Sequence, residues 1–217
     1  TTYDARGQIT RVIDQRGYPA YFRFDEISRQ IEVKDALLQV TSSAYDAANN
    51  LVLRTNARNY SSYFRFDALN RLAASTNPLL ETIYFGYDQV GNQTTTKDPR
   101  GQTWTRAFDR VNRLESETNP LSETSYYQFD QSGNRTVTKD PLALNTYYAW
   151  DALSRNTRVQ DPAGYSTYMA YDAVGNRTKI TSATDKGSYF QYDALSRLAC
   201  RTEAWLASTY FEYDKNS

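Results

Sequence analysis

The stretch Tyr171-Asp172-Ala173-Val174-Gly175-Asn176-Arg177-Thr178 contains the pattern that decides the fold. Its first two residues, an aromatic followed by Asp, recur every 21 residues without an insertion or deletion. The pairs are Tyr3-Asp4, Phe24-Asp25, Tyr45-Asp46, Phe66-Asp67, Tyr87-Asp88, Phe108-Asp109, Phe129-Asp130, Trp150-Asp151, Tyr171-Asp172, Tyr192-Asp193 and Tyr213-Asp214. A fixed period of this length indicates a tandem array in which every unit repeats one supersecondary structure.

We number each repeat from its aromatic residue, which is position 1. Position 2 is always Asp, and position 5 is always Gly, Asn or Ser, as in Gly7, Asn49 and Ser28. An Asp that opens a type I turn accepts backbone N–H groups two residues on, and Gly or Asn tolerates positive φ at the exit. A type I turn followed by one left-handed residue is a common hairpin connection. The sequence therefore predicts a structural role for the Asp of every repeat, at a tight turn.

A second turn is predicted at positions 12 to 15. It is clearest at Asp98-Pro99-Arg100-Gly101 and Asp161-Pro162-Ala163-Gly164, with variants at Asn77-Pro78, Asn119-Pro120 and Asp140-Pro141. The Asp or Asn opens the turn and Pro fixes φ at the next position. Because Pro lacks an N–H donor, it suits a turn and excludes a central strand.

Two strand-like segments lie between the turns of each repeat, at positions 6 to 11 and from position 16 to the next aromatic. Neither connection is long enough for a parallel crossover, so the strands must be antiparallel. We therefore predict an all-β fold, a continuous antiparallel sheet of about twenty short strands that spirals into a hollow shell or solenoid. Residues 1–217 are expected to form a single array of ten full repeats and a partial one, cut from a longer chain.

Rings are expected on both faces of the sheet. Positions 20 and 1 share one face, as in Phe64 and Phe66, and position 19 lies on the other. Position 19 is Tyr in eight repeats, and these rings are candidate surface-binding aromatics that could stack on glycans, with structural packing as the alternative: Tyr21, Tyr63, Tyr84, Tyr126, Tyr147, Tyr168, Tyr189 and Tyr210. Position 6 alternates between Arg, as in Arg29 and Arg71, and Asn, as in Asn50, so the full period is 42 residues.

Composition and charge exclude several functions. The 25 basic and 25 acidic residues balance, which argues against a nucleic-acid partner. No apolar run is long enough for a membrane span. The chain has no His, and its one cysteine, Cys200, therefore has no His partner. A catalytic group is needed once, whereas the Asp recurs in every repeat, so we predict no enzyme activity, no metal and no cofactor, with a repeated weak cation site as the alternative.

The repeat unit resembles the YD repeats of RHS-repeat proteins. The resemblance rests on segments such as 171–178 and Phe66-Asp67-Ala68-Leu69-Asn70-Arg71-Leu72, together with the Asp/Asn-Pro turns of the array, and it covers the whole chain. The family includes bacterial Rhs toxins, the cocoon-forming subunits of insecticidal toxin complexes, wall-associated YD-repeat proteins and teneurins. The resemblance implies a spiral β-shell, often hollow, around a toxic or autoprocessed C-terminal segment.

Three functions follow as hypotheses. The first is a non-catalytic shell segment of a bacterial protein, secreted or at the cell surface, that encloses or displays a toxin or other cargo. The second is an extracellular filament, in which exposed edge strands pair with further repeats or other copies of the chain. The third is an adhesive surface that binds glycans through the position-19 tyrosines.

Overall fold

The computed structural model describes residues 1–184, 186–203, 205 and 207–214, and within them the chain forms β-strands and turns without a helix. The chain divides into two compact units, residues 1–105 and a second unit that begins at Arg106. Within each unit, every strand pairs antiparallel with the next strand along the chain. The predicted all-β fold of about twenty short antiparallel strands is confirmed.

The strands alternate between two lengths. Those of five residues occupy positions 7 to 11: β2 Ile9–Ile13, β4 Gln30–Lys34, β6 Leu51–Thr55, β8 Leu72–Thr76, β10 Gln93–Lys97, β12 Leu114–Thr118, β14 Arg135–Lys139, β16 Asn156–Gln160, β18 Arg177–Thr181 and β20 Leu198–Thr202. Those of six residues run from position 17 to the next aromatic: β3 Pro19–Phe24, β5 Val40–Tyr45, β7 Ser61–Phe66, β9 Thr82–Tyr87, β11 Thr103–Phe108, β13 Thr124–Phe129, β15 Asn145–Trp150, β17 Ser166–Tyr171 and β19 Gly187–Tyr192. Two shorter strands, β1 Thr2–Tyr3 and β21 Ser208–Tyr210, complete the set.

The strands begin one residue later than predicted, at positions 7 and 17 rather than 6 and 16. The backbone of the preceding residue is held by the turn. In one repeat the Arg71 N–H donates to the Asp67 carboxylate at 3.0 Å, while the Arg71 carbonyl accepts the Asp67 N–H at 2.9 Å. Residues at positions 6 and 16 therefore close the turns instead of extending the ladders.

Both turns of the repeat have the same backbone geometry. In the first, the Asn70 N–H donates to the Asp67 carbonyl at 3.0 Å, and in the second the Leu80 N–H donates to the Asn77 carbonyl at 2.9 Å. Position 5 has φ between 57° and 102° in all ten repeats, as the sequence indicated. Position 15 is also left-handed wherever it is described, with φ between 63° and 87°. Each turn is thus a type I turn followed by one left-handed residue.

The register is staggered by a constant amount. In the first unit Ala44 of β5 pairs with Leu53 of β6, which pairs with Tyr63 of β7. Residues 19 apart are therefore aligned on every second strand, although the sequence repeats every 21 residues. In the second unit Ala149, Arg158 and Tyr168 repeat this relation. Equivalent residues are therefore displaced by two residues along the strand per repeat. At normal strand spacing and rise, the line that joins equivalent residues is therefore inclined by about 35° to the direction perpendicular to the strands.

A β-bulge next to the Asp turn contributes to this stagger. Between β7 and β8, Arg65 pairs with Ala74 and Phe66 pairs with Leu72, so Ala73 is an extra residue on one strand. The same shift recurs at the other hairpins of this type, whereas the second turn of each repeat joins strands in regular register. A bulge adds twist and bends the strand that carries it.

The sheet has almost no buried core. Of the apolar side chains described, only Ala74 and Cys200 are buried. The solvent-accessible area is 15250 Å² for 24.9 kDa, about half as large again as the roughly 10,200 Å² expected of a globular protein of this mass. The hydrogen-bonded ladders and lateral contacts between neighbouring side chains therefore provide most of the stability.

Two adjacent leucines test the turn geometry. Leu80 has φ of 65° and is 75% exposed, while Leu79 is 77% exposed and is not left-handed. We expect Leu80→Gly to raise the free energy of unfolding by about 0.5–1 kcal/mol, because a Cβ atom is disfavoured in the left-handed region. Urea unfolding followed by circular dichroism measures the change.

Leu79→Gly is the matched control. It removes an equally exposed leucine from a position with ordinary φ, so the greater chain entropy of glycine should lower the free energy of unfolding. Equal effects of the two substitutions, in either direction, would contradict the assignment of strain to position 15.

Candidate functional site

The Asp carboxylates form the most regular set of polar contacts in the molecule. In the ten turns from Asp4 to Asp193, Oδ1 accepts the backbone N–H of position 6 at 2.8–3.0 Å. In nine of them it also accepts the N–H of position 4. The residues after Asp214 lie outside the described residues. These contacts occupy one carboxylate oxygen and leave the other free for a side chain.

The second oxygen binds the side chain at position 6. Where that residue is Arg, its Nε donates to Oδ2 at 2.6–2.8 Å, as in Asp67 and Arg71. Where it is Asn, its Nδ2 donates to the same oxygen at 2.9–3.0 Å, as in Asp46 and Asn50. Position 2 therefore needs two acceptor oxygens, which explains why Asn never replaces Asp there.

The arginines also join one repeat to the next. Nη1 of Arg29, Arg71, Arg113 and Arg155 donates at 2.8 Å to the carbonyl oxygen of the following repeat's Asp. Their guanidinium groups lie 4.7–5.0 Å from the centroid of that repeat's position-1 ring. A guanidinium over an aromatic face adds a cation–π attraction to the hydrogen bonds. We call this set of contacts the Arg clamp.

Asparagine makes a shorter link in the alternate repeats. Nδ2 of Asn50 also donates to Oδ1 of Asn70 at 2.9 Å, and Nδ2 of Asn176 donates to Oγ of Ser196 at 3.2 Å. In the first repeat, where position 6 is Gln8, Arg6 at position 4 donates instead to the Asp25 and Glu26 carbonyls. The 42-residue period thus alternates long and short links between the same turns.

The position-1 rings carry a polar contact as well. The hydroxyls of Tyr45, Tyr87, Tyr171, Tyr192 and Tyr213 donate to the carbonyl at position 7 of the preceding repeat, at 2.8–3.3 Å. Nε1 of Trp150 makes the same contact with the Arg135 carbonyl at 2.8 Å. The Tyr hydroxyl and the Trp Nε1 donate this hydrogen bond, which explains why Tyr and Trp occur at position 1 in addition to Phe.

The position-19 tyrosines lie on the opposite face. In β7, Tyr63 pairs with Thr76, while its neighbour Phe64 pairs with Ser75 on the other side of the sheet. All eight candidate surface-binding aromatics are exposed, from 39% for Tyr21 to 75% for Tyr210. We call this surface the Tyr face, and it is the candidate binding surface of the protein.

The described residues contain no cluster of metal-binding side chains. No group of three or more Cys, Asp or Glu side chains is placed to hold a metal ion in residues 1–184, 186–203, 205 and 207–214. Cys200 is buried in β20, and its sulfur lies 3.9 Å from Oγ1 of Thr202. In the same ranges, no helix is long and apolar enough to cross a membrane.

The turn carboxylates have lowered pKa values. At Asp67, Asp109, Asp151 and Asp193 the pKa lies below its ordinary value of 3.8, first because of the N–H of position 6, with desolvation opposing. At Asp46, Asp88 and Asp130 the Asn side chain is the largest cause of the lowered pKa. At Asp25 and Asp172 desolvation is the largest influence and raises the pKa, but the hydrogen bonds together lower it. All nine turns therefore favour the ionised carboxylate.

Acid should destabilise the array. A carboxyl whose pKa is lower in the folded state adds stability that is present above its unfolded pKa and is lost as the pH falls through the folded pKa. We expect the urea midpoint to be nearly constant between about pH 7 and 5 and to fall below about pH 4. A midpoint that stays constant or rises in acid would contradict the role of the ionised carboxylates.

A pair of Asp→Asn substitutions separates the two oxygens. We expect Asp67→Asn to lower Tm by about 2–4 °C, because Asn keeps the acceptor for the backbone but replaces Oδ2 with an amide that faces the Arg71 guanidinium. Asp98→Asn should leave Tm nearly unchanged, since the Asp98 carboxylate binds the N–H groups of Arg100 and Gln102 as Asn56 does in an equivalent turn. Thermal unfolding by circular dichroism makes the comparison, and equal losses would show that Oδ2 is not used.

Comparisons with known proteins find a similar repeat in part of the chain and a similar fold over most of it. Residues 87–124 match the model of the RHS repeat. The solved TcdB2-TccC3-Cdc42 complex is similar with a TM-score of 0.56 and 11% identity over 91% of this chain. A Tc holotoxin pore of Photorhabdus luminescens is similar with a TM-score of 0.54 and 14% identity over 93% of this chain. This chain covers 13% of the length of each, and no curated protein matches its sequence.

The matched segment is representative of the chain. It starts at the Tyr87-Asp88 pair and continues past the next pair, Phe108-Asp109, so it contains both kinds of turn. The same 21-residue unit, with the same turns and register, continues on both sides of it. Residues 87–124 are therefore similar to the RHS repeat, and the same 21-residue period extends this similarity along the chain.

Proposed function

We propose that this chain is a non-catalytic wall segment of an RHS-type β-shell, which encloses or displays a toxin or other cargo encoded elsewhere in a secreted or surface-located bacterial protein. The observation that carries the proposal is the constant stagger of two residues per repeat. Closing a sheet around a space requires its strands to tilt and its register to stagger by a fixed amount, as in a barrel. Such a sheet suits a wall that winds around a space.

The two faces also suit a wall. Alternate residues of the six-residue strands are exposed on the Tyr face, whereas positions 18, 20 and 1 on the opposite face are mostly half-buried. That second face carries aromatic residues such as Phe22, Phe64 and Phe190 in the position-20 column. A sheet with partly exposed rings on both faces is expected to have a partner or a cargo on at least one of them.

The turn tips supply a further argument. The tips of the Asp turns carry exposed aliphatic side chains at position 4, from 62% to 77% exposed: Ile27, Leu69, Val90, Val111, Leu153, Val174 and Leu195. Leucines at position 14, Leu37, Leu79, Leu121 and Leu142, are 76–78% exposed at the tips of the second turns. Rows of exposed aliphatic residues mark surfaces that other protein covers. In a wound shell the strand ends of one winding would lie against those of the next.

The filament is the second candidate. In the described residues, β1 pairs only with β2 and β21 pairs only with β20, so each has an edge whose backbone groups could pair with another copy. Heterologous pairing of this kind produces fibres when the rotation does not close. The two functions differ in the particle that forms.

Electron microscopy of the natural polypeptide that contains this array tests the proposal. We expect discrete hollow particles whose interior is protected from protease. Fibres of constant width would favour the filament and contradict the shell, and intrinsic turnover by the purified array would contradict a non-catalytic role.

A deletion tests whether the stagger forms the wall. Removing Ala73 takes out one bulge residue and changes the stagger at a single hairpin, so we expect it to reduce closed particles strongly. Ala73→Gly keeps the chain length and serves as the control, with particles expected to form normally. Normal particles from the deletion variant would show that the stagger does not determine the shell.

A further inference from the structure

The second turn of each repeat joins two strands whose far ends lie at neighbouring Asp turns. In β6 and β7 the aligned residues run from Thr55 and Ser61, beside the second turn, to Leu53 and Tyr63. β4 with β5 and β8 with β9 have the same three-residue register. The far ends of each strand pair are reached by side chains that cross from one Asp turn to the next, and these contacts differ along the first unit.

Arginine side chains link the far ends in three of the four strand pairs that lie within residues 1–105. Arg6 links the end of β2 to that of β3, Arg29 links β4 to β5 and Arg71 links β8 to β9, and each donates to a backbone carbonyl of the following Asp turn. The Arg29 and Arg71 guanidinium groups also lie 5.0 and 4.7 Å from the ring centroids of Tyr45 and Tyr87. A charged donor makes a stronger hydrogen bond than a neutral one, and the ring adds a cation–π attraction.

Two of these strand pairs have a further link. The Tyr45 hydroxyl donates to the Gln30 carbonyl at 3.3 Å and joins β5 to β4. The Tyr87 hydroxyl donates to the Leu72 carbonyl at 2.9 Å and joins β9 to β8. Because each ring is also the one that its arginine covers, the far ends of β4/β5 and β8/β9 are fastened by both a guanidinium and a phenol.

Within residues 1–105, all of which the structure describes, β6/β7 is the strand pair that lacks both kinds of link. Position 6 is Asn50, and the ring at the following position 1 is Phe66, which has no hydroxyl to donate. The side chain of Asn50 crosses to the next Asp turn through a hydrogen bond from Nδ2 to Oδ1 of Asn70 at 2.9 Å. Both partners of this exposed link are neutral amides, so it is weaker than a guanidinium contact.

The other end of β6/β7 is closed as firmly as that of β8/β9. The Asn59 N–H donates to the Asn56 carbonyl at 2.9 Å, and the hydroxyls of Thr55 and Ser61 are 2.9 Å apart. β8/β9 has the same two contacts at its own second turn. One end of β6/β7 is thus held while the other is loosely linked, which is the arrangement of a hinge.

We propose that β6/β7 is a hinge at which the array bends. The Asp-turn ends of β6 and β7 separate, the strands pivot about the turn at 56–60, and the strips β2–β6 and β7–β10 move as rigid bodies on either side. Opening breaks the Asn50–Asn70 hydrogen bond and the outermost pairing of β6 with β7, but leaves the Arg29 and Arg71 contacts intact. A sheet built from such strips changes its curvature at one joint instead of along its whole length. The hinge belongs to the array itself and does not depend on the proposed shell.

Distances between spin labels at the tips of the Asp turns test the hinge in the 217-residue chain. Position 4 is exposed at Ile27, Ala48, Leu69 and Val90, and these residues are replaced by Cys in pairs, with the buried Cys200 changed to Ala. The Ala48/Leu69 pair spans the hinge, whereas Ile27/Ala48 and Leu69/Val90 span clamped strand pairs. By double electron–electron resonance we expect a longer mean distance and a broader distribution across the hinge than in either control. Equal widths for the three pairs would overturn the proposal.

Installing the missing contacts should close the hinge. Asn50→Arg combined with Phe66→Tyr copies the clamp and the phenol link of β4/β5. We therefore expect the distance distribution across the hinge to narrow to the width of the two controls. A distribution that stays broad in this variant would overturn the assignment of the hinge to the missing links.

The converse variant tests whether the same contacts determine stiffness at a second strand pair. Arg71→Asn combined with Tyr87→Phe gives β8/β9 the residue types of β6/β7, and Asn at position 6 still donates to the Asp of its own turn, as in the alternate repeats. We expect the Leu69/Val90 distribution to broaden, with circular dichroism confirming that the sheet remains folded. An unchanged distribution in the folded variant would show that the clamp does not stiffen the array and would overturn the proposal.

Discussion

The Asp carboxylate at position 2, both of whose oxygens accept hydrogen bonds, organises this structure. At position 2 of the nine repeats from Asp25 to Asp193, Oδ1 accepts backbone N–H groups of the turn while Oδ2 accepts a hydrogen bond from the side chain of position 6, as Asp67 does with Arg71. The turn geometry and the link to the next repeat therefore depend on a single residue. Because an amide offers only one acceptor, Asp recurs at position 2, whereas position 12 accepts Asn at Asn56, Asn77 and Asn119.

Repetition of this contact replaces a hydrophobic core. With only Ala74 and Cys200 buried among the apolar side chains described, the sheet depends on backbone ladders, on ring contacts within each face and on links between adjacent turns. In the Arg clamp, one guanidinium contacts its own repeat's carboxylate and the next repeat's carbonyl and ring. Each repeat that carries the clamp therefore fixes the position of the repeat that follows it. Stability in such an array is a sum of repeat terms and nearest-neighbour terms.

Much of this architecture follows from sequence because its signals are local. The Asp at position 2, the Gly, Asn or Ser at position 5 and the Asx-Pro pairs at the second turn determine hairpins, and hairpins of this length determine antiparallel pairing. The left-handed φ of Leu38, Leu80 and Ala143 was not predictable, since the fixed turn length imposes it on residues that do not favour it. The link that Arg6 makes to the next repeat in place of position 6 was also not predictable, because Arg6 lies at position 4.

The residue pairs on the Tyr face show what cannot be predicted from the linear sequence. The balanced net charge argued against a nucleic-acid partner, but net charge averages over both faces of the sheet and all turns. Which residues become neighbours depends in part on the bulge at the Asp turn, which places Lys139 opposite Tyr126. The bulge that contributes to the stagger has no residue signature at position 8, where Ala73, Val52 and Thr157 are equally accepted.

Amide hydrogen exchange at the turns tests the central role of the carboxylate most directly. The N–H groups of Leu69 and Arg71 both donate to Asp67, so in native conditions they should be protected to a degree similar to that of the amides in the flanking β7 and β8. Exchange of these two amides at the rate of an unstructured peptide, while the strand amides remain protected, would contradict the account.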